Sequence, residues 1–242
     1  MTAASDVVHY QGKPMDRLSY ERLRSENMMV RSTHFGGEKA DITLLQGIGG
    51  APKSGGTHTT GGCYDTTAFN HANRMLVGRL LGGADWYRPP NWDNVGGGEH
   101  VHHNTIGAGY EAAAGRAQWT AYYAGKNGLK NNAKDPGPRL HTKPLFVAPW
   151  TARGARGVYY LTKGFTARAE AHTTTASRGA LPKGAKFTVV AVVNNGGNLW
   201  GINKDGKHVF MGALSKSKPS TKPPTTAKAL RIGTLNFPDK TK

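Results

Sequence analysis

The chain has 242 residues, a single cysteine and a formal net charge of +17. One cysteine excludes an intramolecular disulfide and a four-cysteine zinc site, so any metal ion must bind to histidines and carboxylates. The excess of lysine and arginine attracts nucleic acid, acidic lipid and phosphate-rich cell wall alike, and the charge alone does not distinguish among them.

The first helix and the first buried strand are predicted before residue 50. Apolar residues at helical spacing indicate a helix from about Leu18 to Met29. The run 41–46 then predicts a buried strand, and the glycine-rich segment 47–56 follows it. A long loop directly after a buried strand is a typical place for the rim of a functional site.

A second helix is predicted after Asp65. We expect Thr66 or Thr67 to cap it, because a hydroxyl oxygen can accept a hydrogen bond from a free N–H of the first turn. Gly82 and Gly83 are expected to end it. Its apolar side chains recur at intervals of three and four residues: Phe69, Ala72, Met75, Leu76 and Leu80.

The next segment, 83–98, is too rich in proline for regular structure. It carries three aromatic residues that either line a substrate groove or pack the loop onto its domain, two roles that the sequence leaves equally open: Trp86, Tyr87 and Trp92. A short strand is predicted at 100–106 and a helix at 110–124.

The last third of the chain changes character. Residues 126–156 are rich in Asn, Lys, Gly and Pro, which predicts an extended arm with a boundary near Thr151. Short β-type runs then predict a small all-β barrel: 158–161, 186–193, 199–202 and 208–211. We expect three parts, namely 1–150, a β module at 157–215, and a flexible basic tail at 216–242.

Four side chains have the composition of a catalytic zinc site, which usually has three protein ligands and one open position. His58 and Asp65 are separated by a turn that contains Gly61 and Gly62. We expect His102 to be the third ligand, since 99–103 is the densest group of histidines with a carboxylate in the chain.

Glu99 is the expected general base of this site, because a carboxylate near the metal can accept the proton of zinc-activated water. On a strand, His100 shares a face with His102, while His103 points to the other side. His100 then has three possible roles: a group that supports a ligand, a hydrogen-bond donor to the transition state, or an alternative ligand. His103 is expected to be packed or exposed.

These residues resemble the M15 zinc peptidases, a family that includes D-alanyl-D-alanine carboxypeptidases and phage endolysins. The first motif of that family, Ser-x-His-x-x-Gly-x-Ala-x-Asp, is matched in register by His58, Gly61 and Asp65, with Gly56 at the Ser position and Cys63 at the Ala position. The second motif, Glu-x-x-His, is matched by 99–102. The resemblance extends over about 42–150 and implies a Zn²⁺ ion, its three ligands and a peptidase activity.

Two positions of the resemblance bear on specificity and chemistry. Gln46 stands where many relatives have a substrate-binding arginine, which favours an endopeptidase over a carboxypeptidase. Cys63 lies inside the metal loop, but it matches a small structural residue of the family, and we interpret it as such rather than as a nucleophile.

The β segment is similar to a bacterial SH3 domain, most clearly at 181–190. Together the two resemblances predict an α+β fold, in which a small antiparallel-sheet zinc peptidase domain precedes an all-β SH3-like barrel. They imply a phage endolysin that binds peptidoglycan and anionic wall polymers, acts as a monomer and has no nucleic-acid partner.

The apolar stretches and the first residues of the sequence bear on where the protein acts. No stretch approaches the roughly 20 apolar residues of a membrane span, and the first residues lack the basic start and apolar run of a secretory signal. We therefore expect a protein that is made in a bacterial host cytoplasm, does not insert into membranes, acts at the cell wall and needs a helper pore to reach it.

Three alternatives stay open. A catalytically inactive wall-binding or virion-associated protein would retain the same fold. A nucleic-acid-binding protein would account for the charge, although the sequence has no helix-turn-helix, zinc-finger or RNP-like pattern. A different class of zinc endopeptidase has its histidine and aspartate ligands closer together in sequence than they are here, which argues against that class.

Overall fold

The fold is described by a computed structural model for residues 6–49, 54–92, 97–109, 111–140 and 156–220, together with the backbone of 146–147. It is a mixed α/β structure with few helices. Every strand pairing among these residues is antiparallel. Much of the predicted arm and the tail beyond residue 220 lie outside the described residues.

The structure begins with a β-hairpin that the sequence did not predict. Strands β1 (Val7–Tyr10) and β2 (Lys13–Asp16) pair across a turn in which Gln11 and Gly12 both have positive φ. Helix α1 (Arg17–Val30) follows at once and confirms the helix predicted at 18–29. It is capped by the carboxylate of Asp16, which accepts a hydrogen bond from the backbone N–H of Ser19 at 2.8 Å.

A four-stranded sheet forms the centre of the first half of the chain. Its strands are β3 (Leu44–Gln46), β4 (Cys63–Thr66), β5 (Trp86–Arg88) and β6 (His100–Asn104), in the order β3-β4-β6-β5. The strand predicted at 100–106 is confirmed. The segment 83–98 is not wholly irregular, because its aromatic part forms β5 before the two prolines.

Helices α2 (His71–Leu80) and α3 (Ala113–Tyr123) complete this half of the fold. The predicted cap of α2 was wrong. Thr66 is the last residue of β4, and the helix begins after Asn70, whose backbone is left-handed and whose side chain makes no capping hydrogen bond. The hydroxyl of Thr66 is instead 2.9 Å from His103 Nε2, so cross-strand contact with β6 replaces the cap.

The two faces of the central sheet pack against different helices, because successive side chains of a strand point to opposite sides. Helices α1 and α2 cover one face, where the Tyr64 hydroxyl donates to Glu26 on α1 at 2.8 Å. Helix α3 covers the other, where Asn104 Nδ2 donates to the carbonyl oxygen of Gly115 at 2.8 Å. The α3 face carries Cys63, Asp65, Trp86, Arg88, His100, His102 and Asn104.

The last part of the described chain is all-β, as predicted. The predicted run 186–193 is two strands rather than one. Four further strands were missed by the sequence analysis: Phe146–Val147, Phe165–Arg168, Ser177–Leu181 and Leu214–Ser215. The strands are β7 (Phe146–Val147), β8 (Gly157–Leu161), β9 (Phe165–Arg168), β10 (Ser177–Leu181), β11 (Lys186–Val189), β12 (Ala191–Asn195), β13 (Asn198–Ile202), β14 (His208–Phe210) and β15 (Leu214–Ser215).

These strands form a six-stranded sheet, β10-β9-β14-β13-β12-β7, and a three-stranded sheet, β11-β8-β15. Strand β12 faces two cores. Ala191 and Val193 belong to a cluster with Leu23 and Val30 of α1, whereas Val192 packs with the apolar side chains between the two C-terminal sheets. The all-β segment therefore packs directly against the first helix.

Polar contacts join the same surfaces. Arg156 forms an ion pair with Glu21 of α1 at 2.7 Å, and the Ser25 hydroxyl donates to the carbonyl oxygen of Val190 at 3.1 Å. None of the described helices combines the length and the apolar composition needed to cross a membrane.

Truncation of Leu23 tests the core between α1 and the β segment. Leu23 is fully buried, so Leu23→Ala should lower the free energy of unfolding by about 2–5 kcal/mol through lost apolar contacts and the cavity left behind. Met28, on the same helix, is 43% exposed, and Met28→Ala should change it by less than about 0.5 kcal/mol. Chemical denaturation followed by tryptophan fluorescence measures both, and equal losses for the two variants would contradict this packing.

Candidate metal centre

The structure brings together the three predicted metal ligands. Asp65 on β4 and His102 on β6 are directly opposite each other in the register of the two strands. His58 reaches them from the loop that precedes β4, and one nitrogen or oxygen atom from each residue lies within 4.8 Å of the others. All three side chains are buried, so the group is not a set of solvent-exposed residues that happen to be close together.

The loop that carries His58 is held by backbone contacts on both sides. The predicted turn at Gly61 and Gly62 is present, and both residues have positive φ. The N–H of Gly62 donates to the Asp16 carboxylate at 2.7 Å. Gly47 lies against the Pro14 carbonyl group so closely that a Cβ atom there would collide with its oxygen, which explains why this position needs glycine.

His58 has its ring orientation set by that same glycine. Its Nδ1 lies 3.2 Å from the carbonyl oxygen of Gly47, and since a carbonyl oxygen only accepts, Nδ1 carries the proton. Nε2 therefore presents its lone pair to the cluster, 3.4 Å from Asp65 Oδ2. A histidine ligand that donates its outer N–H to a carbonyl group is the arrangement commonly found around bound metal ions.

His102 is oriented in the same way by helix α3. Its Nε2 lies 2.9 Å from Gln118 Oε1, and its Nδ1 lies 2.8 Å from Asp65 Oδ1. The Gln118 oxygen is identified by its other contact, because it also accepts from Asn104 Nδ2 at 3.1 Å. Asn104 is in turn fixed by Trp119, whose indole N–H can only donate and bonds to Asn104 Oδ1 at 2.6 Å.

The geometry leaves an electrostatic conflict that a cation would remove. With their protons on the outer nitrogens, both neutral imidazoles direct lone pairs at an ionised carboxylate. Burial lowers the pKa of His102, which favours its neutral form. Two imidazoles and a carboxylate suit zinc, although this set of ligands also suits other divalent transition metals.

Glu99 and His100 line the same cavity as this cluster. Glu99 precedes β6, is exposed, and accepts a hydrogen bond from the Tyr87 hydroxyl group, which raises the pKa of Tyr87. His100 shares the sheet face of His102, as the alternation predicted, with Nε2 3.9 Å from Asp65 Oδ1. Its Nδ1 lies 2.8 Å from the Gly98 carbonyl oxygen and therefore carries a proton.

A cavity of about 690 Å³ opens onto the cluster. The small side chains of α3 that face it, at Ala114, Ala117 and Ala121, leave room for a ligand. Trp92 lines the cavity, whereas Trp86 is buried in the wall and stacks over His102 with a ring-centroid distance of 6.3 Å. The other lining residues with polar side chains include Gln46, Arg88, Glu99, His100 and Gln118.

No family model matches this chain, and neither a curated protein nor a solved structure does. The side chains that line the cavity therefore carry what can be inferred about function. Two residues of this site were missed by the sequence analysis. Gln118 and Arg88 are far from the motifs in sequence, and no local pattern marks either of them.

Cys63 does not have the surroundings of a nucleophile. It is buried, and burial together with nearby carboxylates raises the pKa of its thiol well above its usual value. A reactive cysteine needs an electropositive and accessible setting that stabilises the thiolate. Its Sγ instead packs close to Gly115 of α3, which fits the small structural role expected from the sequence.

A second buried group, on the opposite face of the sheet, consists of Glu26, Asp85 and His103. It already contains a cation, because Arg22 forms ion pairs with Asp85 and, at 3.1 Å, with Glu26. Burial opposes the charge of Arg22, but its carboxylate partners raise its pKa above the usual value. This group ties α1 to the back of β6, where His103 also stacks on Tyr64 with centroids 4.5 Å apart.

The remaining histidines have no such surroundings. Within the described part of the chain, no potential metal-binding group of three includes any of the following: His34, His71, His172 and His208. His141 lies outside the described residues.

Gln118 should control metal affinity through His102. Gln118→Leu removes the acceptor that keeps the His102 proton on Nε2, and Zn²⁺ affinity should fall about 10- to 100-fold, the usual loss when such a supporting hydrogen bond is removed. Thr120→Ala, an exposed change on the same helix, should leave it unaltered. Competition with a chromogenic chelator measures both constants, and an unchanged affinity in Gln118→Leu would contradict the assigned proton position.

Proposed function

We propose that this chain is a zinc-dependent peptidase of the M15 type that cleaves a peptide bond in the stem or cross-link of peptidoglycan, and that it acts as a phage endolysin. The observation that carries the proposal is the convergence of His58, Asp65 and His102 in the lining of one cavity, which Glu99 also lines. The sequence motifs gave the same residues in the spacing of that family.

The ligand set explains how a metal would be held. His58 and His102 each have an outer N–H bonded to a protein oxygen, so each offers its inner nitrogen, and Asp65 supplies the negative charge. A zinc ion bound there supplies Lewis acidity, since it polarises a carbonyl group and lowers the pKa of water to about 7.

Glu99 provides the proton transfer in this proposal. Its exposed carboxylate lines the same cavity as the cluster and can accept a proton from the attacking water and pass it to the departing amine. The Tyr87 hydroxyl donates to Glu99 and so restricts its position. His100, in its protonated form, would donate from Nε2 to the carbonyl oxygen that gains negative charge.

The all-β segment is proposed to be an SH3-like barrel that binds the cell wall. Its strands form two packed antiparallel sheets of short strands, which is compatible with such a module. The net charge of +17 adds attraction to anionic wall polymers. In this reading the partners are peptidoglycan and those polymers, the protein is a monomer without a nucleic-acid partner, and it acts at the wall after synthesis in the host cytoplasm.

Digestion of purified peptidoglycan by the full chain tests the proposal. The zinc-loaded protein should release new stem-peptide ends that mass spectrometry detects, and a chelator should abolish their release. Glu99→Gln should lower the rate by about 100- to 10,000-fold, the usual contribution of a general base, and should retain zinc. Asp41→Asn, a change of an exposed carboxylate on the surface, should cleave like the unaltered protein.

Other outcomes would favour the alternatives. Zinc binding without cleavage by the unaltered protein would favour an inactive wall-binding or virion-associated protein. Steeply salt-dependent binding to DNA without affinity for cell walls would favour a nucleic-acid-binding protein. Loss of zinc together with activity in Glu99→Gln would show that Glu99 is a ligand rather than the base.

A further inference from the structure

Arg88 differs from the other arginines buried in the described part of the chain. Three of these form ion pairs with carboxylates: Arg22 with Asp85, Arg74 with Glu38, and Arg79 with Asp135. Arg88 is only 3% exposed, and no described carboxylate forms an ion pair with it. Its Nη1 donates to the Asn127 carbonyl oxygen at 2.9 Å, and its Nη2 has no hydrogen-bond partner among the described residues.

An unpaired nitrogen of a buried cation is costly, because it has lost its hydration without gaining an acceptor. The guanidinium group is held between two rings, 5.3 Å from the Trp86 centroid and 5.9 Å from that of Trp92. Burial lowers the pKa of Arg88 to about 10, with Asp65 and Asp135 acting in the opposite direction, so the group stays cationic at neutral pH. Arg88 therefore keeps a positive charge at this position although its burial lowers the stability of the fold.

The side chain of Arg88 lies in the wall of the cavity beside the metal cluster. Arg88 pairs with His100 across β5 and β6 and shares a sheet face with His102. Both Arg88 and Trp92 line the cavity. The indole Nε1 of Trp92 is a second buried donor without a described partner. Two residues that line the same cavity thus each have a buried N–H donor without a described partner, and one of these donors is charged.

We propose that Arg88 and Trp92 bind a carboxylate group of the substrate next to the bond that is cleaved. The arrangement suits this ligand because a guanidinium group recognises a carboxylate through directed, charge-assisted hydrogen bonds. The inference rests on the proposed function and narrows its substrates to peptides with a free carboxylate near the scissile bond. In this proposal Arg88 supplies the cation of the cavity. Gln46 cannot do so, because it is uncharged, and its side-chain nitrogen donates to the Gly49 carbonyl oxygen at 2.8 Å.

The carboxylate has two possible sources in a stem peptide: the C-terminus, as in a carboxypeptidase substrate, or an internal acidic residue, as in an endopeptidase substrate. Three synthetic stem peptides separate them. One has both groups free, one has a C-terminal amide, and one has the internal carboxylate converted to an amide. Binding is measured by calorimetry with the full zinc-loaded chain in the Glu99→Gln background, so that no peptide is consumed.

Loss of the recognised carboxylate should weaken binding about 10- to 100-fold, and loss of the other should have little effect. Arg88→Met should weaken binding of the free peptide by the same factor and should no longer distinguish it from the amide. Arg88→Lys, which retains the charge, should lie between them. Trp92→Phe, which retains the ring but removes the N–H, should cost about 3- to 10-fold. Arg24→Met, on the exposed side of α1, should bind like the parent.

Turnover gives an independent readout. In the protein with Glu99 intact, Arg88→Met should raise KM far more than it lowers kcat, since a carboxylate outside the reacting bond is bound equally in the ground and transition states. Equal weakening for all three peptides would mean that Arg88 only packs the wall, and would overturn the inference. If Arg88→Met cleaves peptidoglycan at the rate of the unaltered protein, the inference about Arg88 is overturned and the proposed function is left intact. Absence of both peptide binding and cleavage would overturn both.

Discussion

The pairing of β4 with β6 is the constraint on which the candidate site depends. It places Asp65 directly opposite His102 and brings Tyr64 against His103 on the other side of the sheet. Because the side-chain period of a strand is two, a slip of one residue would exchange these faces and disperse the cluster. The buried ion pairs of Arg22 beneath β6 oppose such a slip, since they would lose their histidine neighbour.

The cluster is preorganised by acceptors that have no part in the cluster itself. The Gly47 carbonyl group and the Gln118 side chain each take the outer proton of an imidazole, so both inner lone pairs converge on the ionised Asp65. Without a bound cation this arrangement is unfavourable, because the imidazole lone pairs and the carboxylate repel one another. The same contacts that would be unfavourable without a cation become ligand bonds with one.

Local patterns in the sequence predicted many of the strands and helices and the three candidate metal ligands. The remaining residues of the site are determined by tertiary contacts. Strand alternation was enough to put His100 and His102 on one face, and the Gly61–Gly62 turn was enough to bring His58 towards Asp65. Thr66 was misassigned as a helix cap because its competing partner, His103, lies far along the chain. Gln118 and Arg88 reach the site through packing of α3 and pairing of β5, which no short-range spacing reveals.

The two faces of the central sheet differ in whether their buried arginine is paired with carboxylates. On the α1 face, the charge of Arg22 is matched by carboxylates, and this group helps to hold β6 in place. On the α3 face, Arg88 has no carboxylate partner among the described residues, its Nη2 has no hydrogen-bond partner there, and its side chain lines the cavity. A core that needed only to fold would pair or remove such groups. A buried cation without a carboxylate partner, beside the cavity and the metal cluster, is the physical reason to regard the α3 face as the functional one.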